Sequence, residues 1–172
     1  MDELTQLAIK YGTDKWGKHH YTPVYHEMFK DKRNDIKYLI EIGPAEGAGL
    51  SMFRDYFPKA VIVGLEIDQN RVEKLLNEDF IVFNFDQGSA KDINLRKQLF
   101  KDADIVIDDG SHNPIDQIFT FQGVMPFLKK GATYIIEDVA DTDIINILAS
   151  RYYVEVKELS NRYDDRLIIC RK

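Results

Sequence analysis

From residue 36 onward, short apolar runs rich in β-branched residues recur, and each stops at a polar or acidic residue. Residues 38–42 stop at Gly43, 61–65 at Glu66, 80–85 at Asp86, 105–107 at Asp108 and Asp109, and 134–136 at Glu137 and Asp138. Runs of this length and composition predict buried parallel strands. Between them the apolar positions switch to helical spacing. Leu50, Phe53 and Phe57 precede Pro58; Val72, Leu75 and Leu76 follow the second run; a short helix is expected over 95–100. A longer one over 115–128 carries Ile118, Phe119, Val124 and Phe127, with a kink expected at Pro126 and a stop at Gly131. Ile144, Ile145 and Leu148 mark one more. Strands alternating with helices imply a mostly parallel sheet covered on both faces. The last two runs, 152–156 and 166–170, are separated only by 159–165, too short for a helical crossover, so they should form an antiparallel hairpin. The expectation is an α/β fold with seven strands.

The first 35 residues stand apart from this alternation. Leu4, Leu7, Ala8 and Tyr11 share one helical face, and Tyr11-Gly12 reads as its C-terminal turn. Residues 16–25 are dense in aromatics and histidine; Pro23 is placed as the first residue of a helix reaching Phe29, with Thr22 as its cap. This segment is read as a helical cap or lid on a single domain spanning 1–172.

Composition narrows the function. The chain has 172 residues, 44% of them hydrophobic, enough for one sizeable core. A net charge of −6 argues against non-specific nucleic-acid binding. No apolar stretch approaches the ~20 residues needed to span a bilayer. The acidic N-terminus lacks a signal-peptide core, and the lone Cys170 is read as a small buried residue. A reducing, cytoplasmic setting is the expectation.

The chemistry is expected at the strand ends, since ligands of open α/β sheets bind at the carboxyl edge. If the fourth and fifth strands are neighbours, Asp109, Glu137 and Asp138 converge, and three carboxylates repel unless a cation sits between them. His112 would be a titratable base beside it. Oxygen ligation with room for substrate favours Mg²⁺ among divalent cations. At the other strand ends, Gly43 and Gly49 lie in a turn that lets backbone approach a ligand. Glu41 could accept from the ammonium of a methionine moiety, Glu66 from ribose hydroxyls, and Asp86 and Gln87 from an adenine amine. Asp108 either orients the methionine end or bonds loop amides. Pro44 and Glu46 disfavour a pyrophosphate loop, and with it a nicotinamide cofactor. Trp16, His19, His20 and Tyr21 are candidates for a lid and sugar platform or, equally, Trp16 and Tyr21 for packing, and residues 11–15 for a cap on the donor.

Several stretches carry a family resemblance: 10–15 with 20–22, Glu41-Ile42-Gly43, 53–57, 62–66, Asp86-Gln87, 107–112 and 136–138. In these the sequence resembles the class I S-adenosylmethionine-dependent O-methyltransferases of the macrolide-sugar (mycinamicin) and glycan type. The resemblance implies a class I methyltransferase fold and methyl transfer from S-adenosylmethionine to a sugar hydroxyl. It also implies Mg²⁺ held by Asp109, Glu137 and Asp138, His112 as base, and donor contacts from Glu41, Gly43, Glu66, Asp86 and Gln87. The glycine turn here is shorter than in the mycinamicin type, and that type's separate N-terminal domain has no counterpart in the sequence. A catechol-type methyltransferase acting on a phenolic diol and a non-catalytic, cofactor-binding subunit of a polysaccharide complex are the alternatives. A homodimer whose partner completes the pocket stays open.

Overall fold

The computed structural model describes residues 1–160 and 162–172. Its centre is a seven-stranded sheet in the order β3-β2-β1-β4-β5-β7-β6. The strands are β1 (Tyr38–Ile42), β2 (Val61–Glu66), β3 (Ile81–Asn84), β4 (Ile105–Asp108), β5 (Thr133–Ile136), β6 (Val154–Glu158) and β7 (Arg166–Arg171). The first five pair in parallel, and β7 inserts antiparallel between β5 and β6. The expected terminal hairpin is therefore present; residue 161 of its connection lies outside the described residues.

Pleat alternation divides the core into two layers. Leu39, Ile105, Ile107, Ile135, Leu167 and Ile169 face one way. On that face lie α1 (Glu3–Tyr11), α2 (Tyr21–Phe29), α3 (Ala48–Tyr56) and α4 (Gln69–Asn77). Ile40, Ile42, Val106, Tyr134, Ile136, Ile168 and Cys170 face the other way. They meet α5 (Ala90–Leu95), α6 (Lys97–Asp102), α7 (Pro114–Val124) and α8 (Asp143–Ala149). Cys170 is buried, as expected. No helix among the described residues is long and apolar enough to cross a membrane.

Several boundaries differ from expectation for local reasons. The helix expected over 95–100 is two short helices that break at Arg96. Pro126 does not kink α7; the α-helix ends at Val124 and a 3-10 turn, Met125–Phe127, accommodates the ring. Thr22 is not a helix cap. Its hydroxyl is buried against that of Thr5, 2.8 Å away, and α2 begins two residues earlier than expected, at Tyr21, with His20 at the cap position. That bond ties α2 to α1, and Leu4, Ala8, Tyr21, Tyr25 and Phe29 of these two helices belong to the core on the first face.

Candidate functional site

The pleat decides which strand-end side chains can meet. Asp109 lies two residues beyond Ile107, Glu137 two beyond Ile135, and Glu41 two beyond Leu39, so all three continue the face that carries α1 to α3. Since β1, β4 and β5 are adjacent and in register, the carboxylates gather at one point on the carboxyl edge.

A cation is already at that point, supplied by the chain itself. Lys15 lies in the turn between α1 and α2, and only 2% of its side chain is exposed. Its Nζ lies 2.7 Å from Asp109 Oδ2, 2.6 Å from Glu137 Oε2 and 3.1 Å from Glu41 Oε1. Burial disfavours the ammonium, but Asp109, Glu137 and Glu41 outweigh it and hold its pKa well above the usual lysine value. The other oxygen of Glu137 accepts from Tyr25 Oη, so both are engaged. Burial pushes the Glu137 carboxyl up against the opposing pull of Lys15. On Asp109 burial is outweighed by Lys15 and His112, which hold it below the ordinary range.

The expected single meeting point of Asp109, Glu137 and Asp138 is therefore two adjoining points that share Asp109. At the second, Asp109 Oδ1 lies 3.1 Å and Asp138 Oδ2 3.2 Å from His112 Nε2. Ligand atoms of Asp109, His112 and Asp138 all lie within 4.8 Å of one another, a grouping able to hold a metal ion. Two of these residues sit in left-handed backbone, His112 with φ 57° and Asp138 with φ 51°. Such conformations are rare outside glycine and mark places where surrounding contacts dictate side-chain aim.

Asp138 is further fixed from behind. Its Oδ1 accepts from Tyr21 Oη at 3.0 Å and lies 3.0 Å from Nε2 of His19, a buried ring stacked on Tyr21. Tyr21 is thus not a platform for a sugar: it is 1% exposed and packed under the site. Trp16 packs edge-on against His20, and His20 Nδ1 bonds Asp165 Oδ2 at 2.9 Å. Neither Trp16 nor His20 lines the cavities described next.

Two cavities, of about 330 and 240 Å³, open at this edge and share Gly43, Ala45 and Asp109 on their walls. The larger is lined by Leu65, Glu66, Ile67, Phe85, Asp86 and His112, among others: apolar walls, a buried carboxylate at the end of β2 and a polar end. Glu66 accepts the amides of Ala45 and Asp68 at 3.1 and 2.9 Å. The smaller is lined by Glu41 and Gly49. Glu41 Oε2 is buried without a hydrogen-bond partner, and burial lifts the Glu41 pKa to about 7 despite Lys15. An unpaired carboxylate oxygen on a cavity wall fits a ligand ammonium. Gly43 is required here, since its φ is 78° and a Cβ would overlap the carbonyl of Asp109.

Two of the expected donor contacts make bonds within the protein. Gln87 Nε2 donates to Asp108 and Thr120, each at 3.2 Å, and its Oε1 accepts the Ser111 amide at 2.7 Å. That amide braces the β3 and β4 loops, and Gln87 also lines the larger cavity, where Oε1 keeps a second lone pair. Asp108, 1% exposed, faces the second layer, where it accepts from Tyr134 Oη at 2.8 Å; burial pushes its pKa up to about 7. Of the two roles considered for it, bonding within the loop is the one its contacts match.

The sequence suggested Lys15 as part of a donor cap and His19 as part of a sugar platform; their contacts at the strand ends, and that of Tyr25, are seen only in the fold. Their only signal is the density of polar and aromatic residues over 10–25, which says nothing about partners on β4 and β5.

No protein-family model matches the sequence. Curated relatives do. The chain is 33% identical over 144 residues to a tetracenomycin rhamnosyl 2′-O-methyltransferase of Streptomyces olivaceus, covering 79% of this chain and 37% of that protein. It is 34% identical over 146 residues to mycinamicin VI 2″-O-methyltransferase of Micromonospora griseorubida, covering 80% and 36%. The homologues of this chain are sugar O-methyltransferases. Among solved structures, the MycE methyltransferase of mycinamycin biosynthesis, in complex with Mg, SAH and mycinamycin VI, superposes with a TM-score of 0.77 at 26% identity. That match covers 99% of this chain and 54% of that one. The fold is that of the class I methyltransferases, with the terminal hairpin expected from the sequence. The chain spans little more than a third of the length of the curated relatives it matches.

Proposed function

We propose that this chain is the catalytic unit of a divalent-cation-dependent methyltransferase, transferring the methyl group of S-adenosylmethionine to a sugar hydroxyl of a glycan or glycosylated metabolite. The observation that carries the reading is the join between the two kinds of site. Asp109 lines both cavities, and its carboxylate also belongs to the His112 and Asp138 cluster.

The residues fit the groups this function needs. The unpaired oxygen of Glu41 suits the donor's ammonium, Glu66 its ribose, and the apolar walls of Leu65, Ile67 and Phe85 its base. Asp86, on the same wall, remains a candidate for the adenine amine. Asp109 and Asp138 flank the place where a divalent ion fits, with His112 beside it, and Glu137 stands behind Asp109 through Lys15. A bound divalent ion would supply Lewis-acid charge that makes an acceptor hydroxyl easier to deprotonate. His112 is 42% exposed at the cavity mouth, and its Nε2 is the atom that accepts the hydroxyl proton. The hydrogen bond to Asp109 raises its pKa, which stabilises the ring once it has taken the proton. The enclosing strand ends hold donor and acceptor in line, which removes much of the entropic cost of their meeting.

The test is methyl transfer to a panel of sugars, glycosides and catechols, with Mg²⁺ and after chelation. Transfer to a sugar that stops on chelation and returns with Mg²⁺ is expected. Transfer confined to catechols, or undiminished by chelation, would overturn the reading.

A further inference from the structure

Asp109 is shared between two positions that attract positive charge. Its Oδ2 is held by Lys15, while its Oδ1 faces His112 and Asp138. Lys15 also neutralises the buried Glu137 and Glu41, so one ammonium answers three carboxylates. A divalent ion held by Asp109 would be a close neighbour of that ammonium, and like charges repel strongly where water is excluded. The turn carrying Lys15 is bracketed by Gly12 and Gly17, with φ of 69° and 94°, and a Cβ at either would meet nothing within 4 Å. The segment therefore has glycine joints at both ends and open space around them, while backbone bonds from His19 to Asp14 and from Tyr21 to Lys15 keep it seated.

We infer that Lys15 is a resident counter-ion of the site and opposes the divalent ion: seating of the ammonium weakens metal binding, and metal binding loosens the Lys15 segment. This rests on reading Asp109 and Asp138, beside His112, as a divalent-ion site. It assigns residues 12–17 as the part of the N-terminal segment that responds to metal loading, by the reciprocity that governs any two coupled ligands. The charge arithmetic sets the sign. Removing Lys15 leaves Asp109, Glu137 and Glu41 without their cation, which raises the local attraction for Mg²⁺ or Mn²⁺.

Mn²⁺ titration followed by electron paramagnetic resonance compares the wild-type protein, Lys15→Met and Lys15→Arg. Lys15→Met should bind Mn²⁺ about tenfold or more tightly than wild type, and Lys15→Arg should stay near wild type. Equal or weaker binding by a folded Lys15→Met, beside a wild type that binds, overturns the inference and leaves the metal reading standing. If neither protein binds Mn²⁺, the metal reading fails and the inference falls with it. Hydrogen exchange on the wild type tests the same coupling without a variant. Mg²⁺ should speed exchange over residues 12–20 relative to chelator, and unchanged or slower exchange there would overturn it.

Discussion

His112 and Asp138 face each other at 3.2 Å across the ends of two central strands, both in left-handed backbone conformation. Neither φ is one an ordinary side chain adopts freely. The strain is supported by contacts to Asp109 on one side and to Tyr21 and His19 on the other. The pair is aimed before any ligand arrives, which is what preorganised chemistry requires.

Replacing His112 separates chemistry from binding. Asn tolerates φ near +57° better than Ala, so His112→Asn removes the ring without adding much backbone strain. Methyl transfer should fall by about 10²- to 10⁴-fold, the usual contribution of a positioned base. Donor binding measured by calorimetry should stay near wild type. A variant retaining transfer within a few-fold would remove His112 from the reaction.

Gly43 holds the donor loop against β4. Gly43→Ala places a Cβ on the Asp109 carbonyl in a backbone region that costs an L-residue about 1–2 kcal/mol before any clash. The expected result is a lower melting temperature together with weaker S-adenosylmethionine binding. Unchanged donor affinity would show that the turn and the donor pocket are independent.

Tyr134 donates to Asp108 in a buried setting, and its loss should depend on pH. Burial raises the folded pKa of Asp108 from 3.8 to about 7, while Tyr134, the Gly110 amide and Gln87 pull it down. Because the native state binds this proton more tightly than the unfolded chain, the contribution of Asp108 to stability is present below about pH 4. It is lost as pH rises toward 7. Tyr134→Phe removes a bond that favours the charged form, so its destabilisation should be greater at pH 8 than at pH 4. Its size at the higher pH should be about 1–3 kcal/mol, the cost of an unsatisfied buried acceptor. Urea denaturation in chelator at both values measures it, and equal destabilisation at the two would refute the account.

What could be read from the sequence was everything local periodicity encodes. Runs of alternating or continuous apolar residues set the strands, helical spacing set most of the helices, and the brevity of 159–165 set the antiparallel end. The strand-end carboxylates were legible too, but as one meeting point of Asp109, Glu137 and Asp138; the pleat of the observed strands instead puts Asp109 and Glu137 on one face with Glu41. Only the tertiary structure decided what answers their charge. Lys15 meets Asp109 and Glu137 across 94 and 122 residues, because α1 and α2 pack onto that face and carry their connecting turn to the strand ends. The same packing turned Tyr21 under the site, while contacts between the β3 and β4 loops drew Gln87 inward. Side-chain period is a property of the chain, whereas neutralising a buried charge needs whichever opposite charge the fold brings within reach, and no local pattern records that choice.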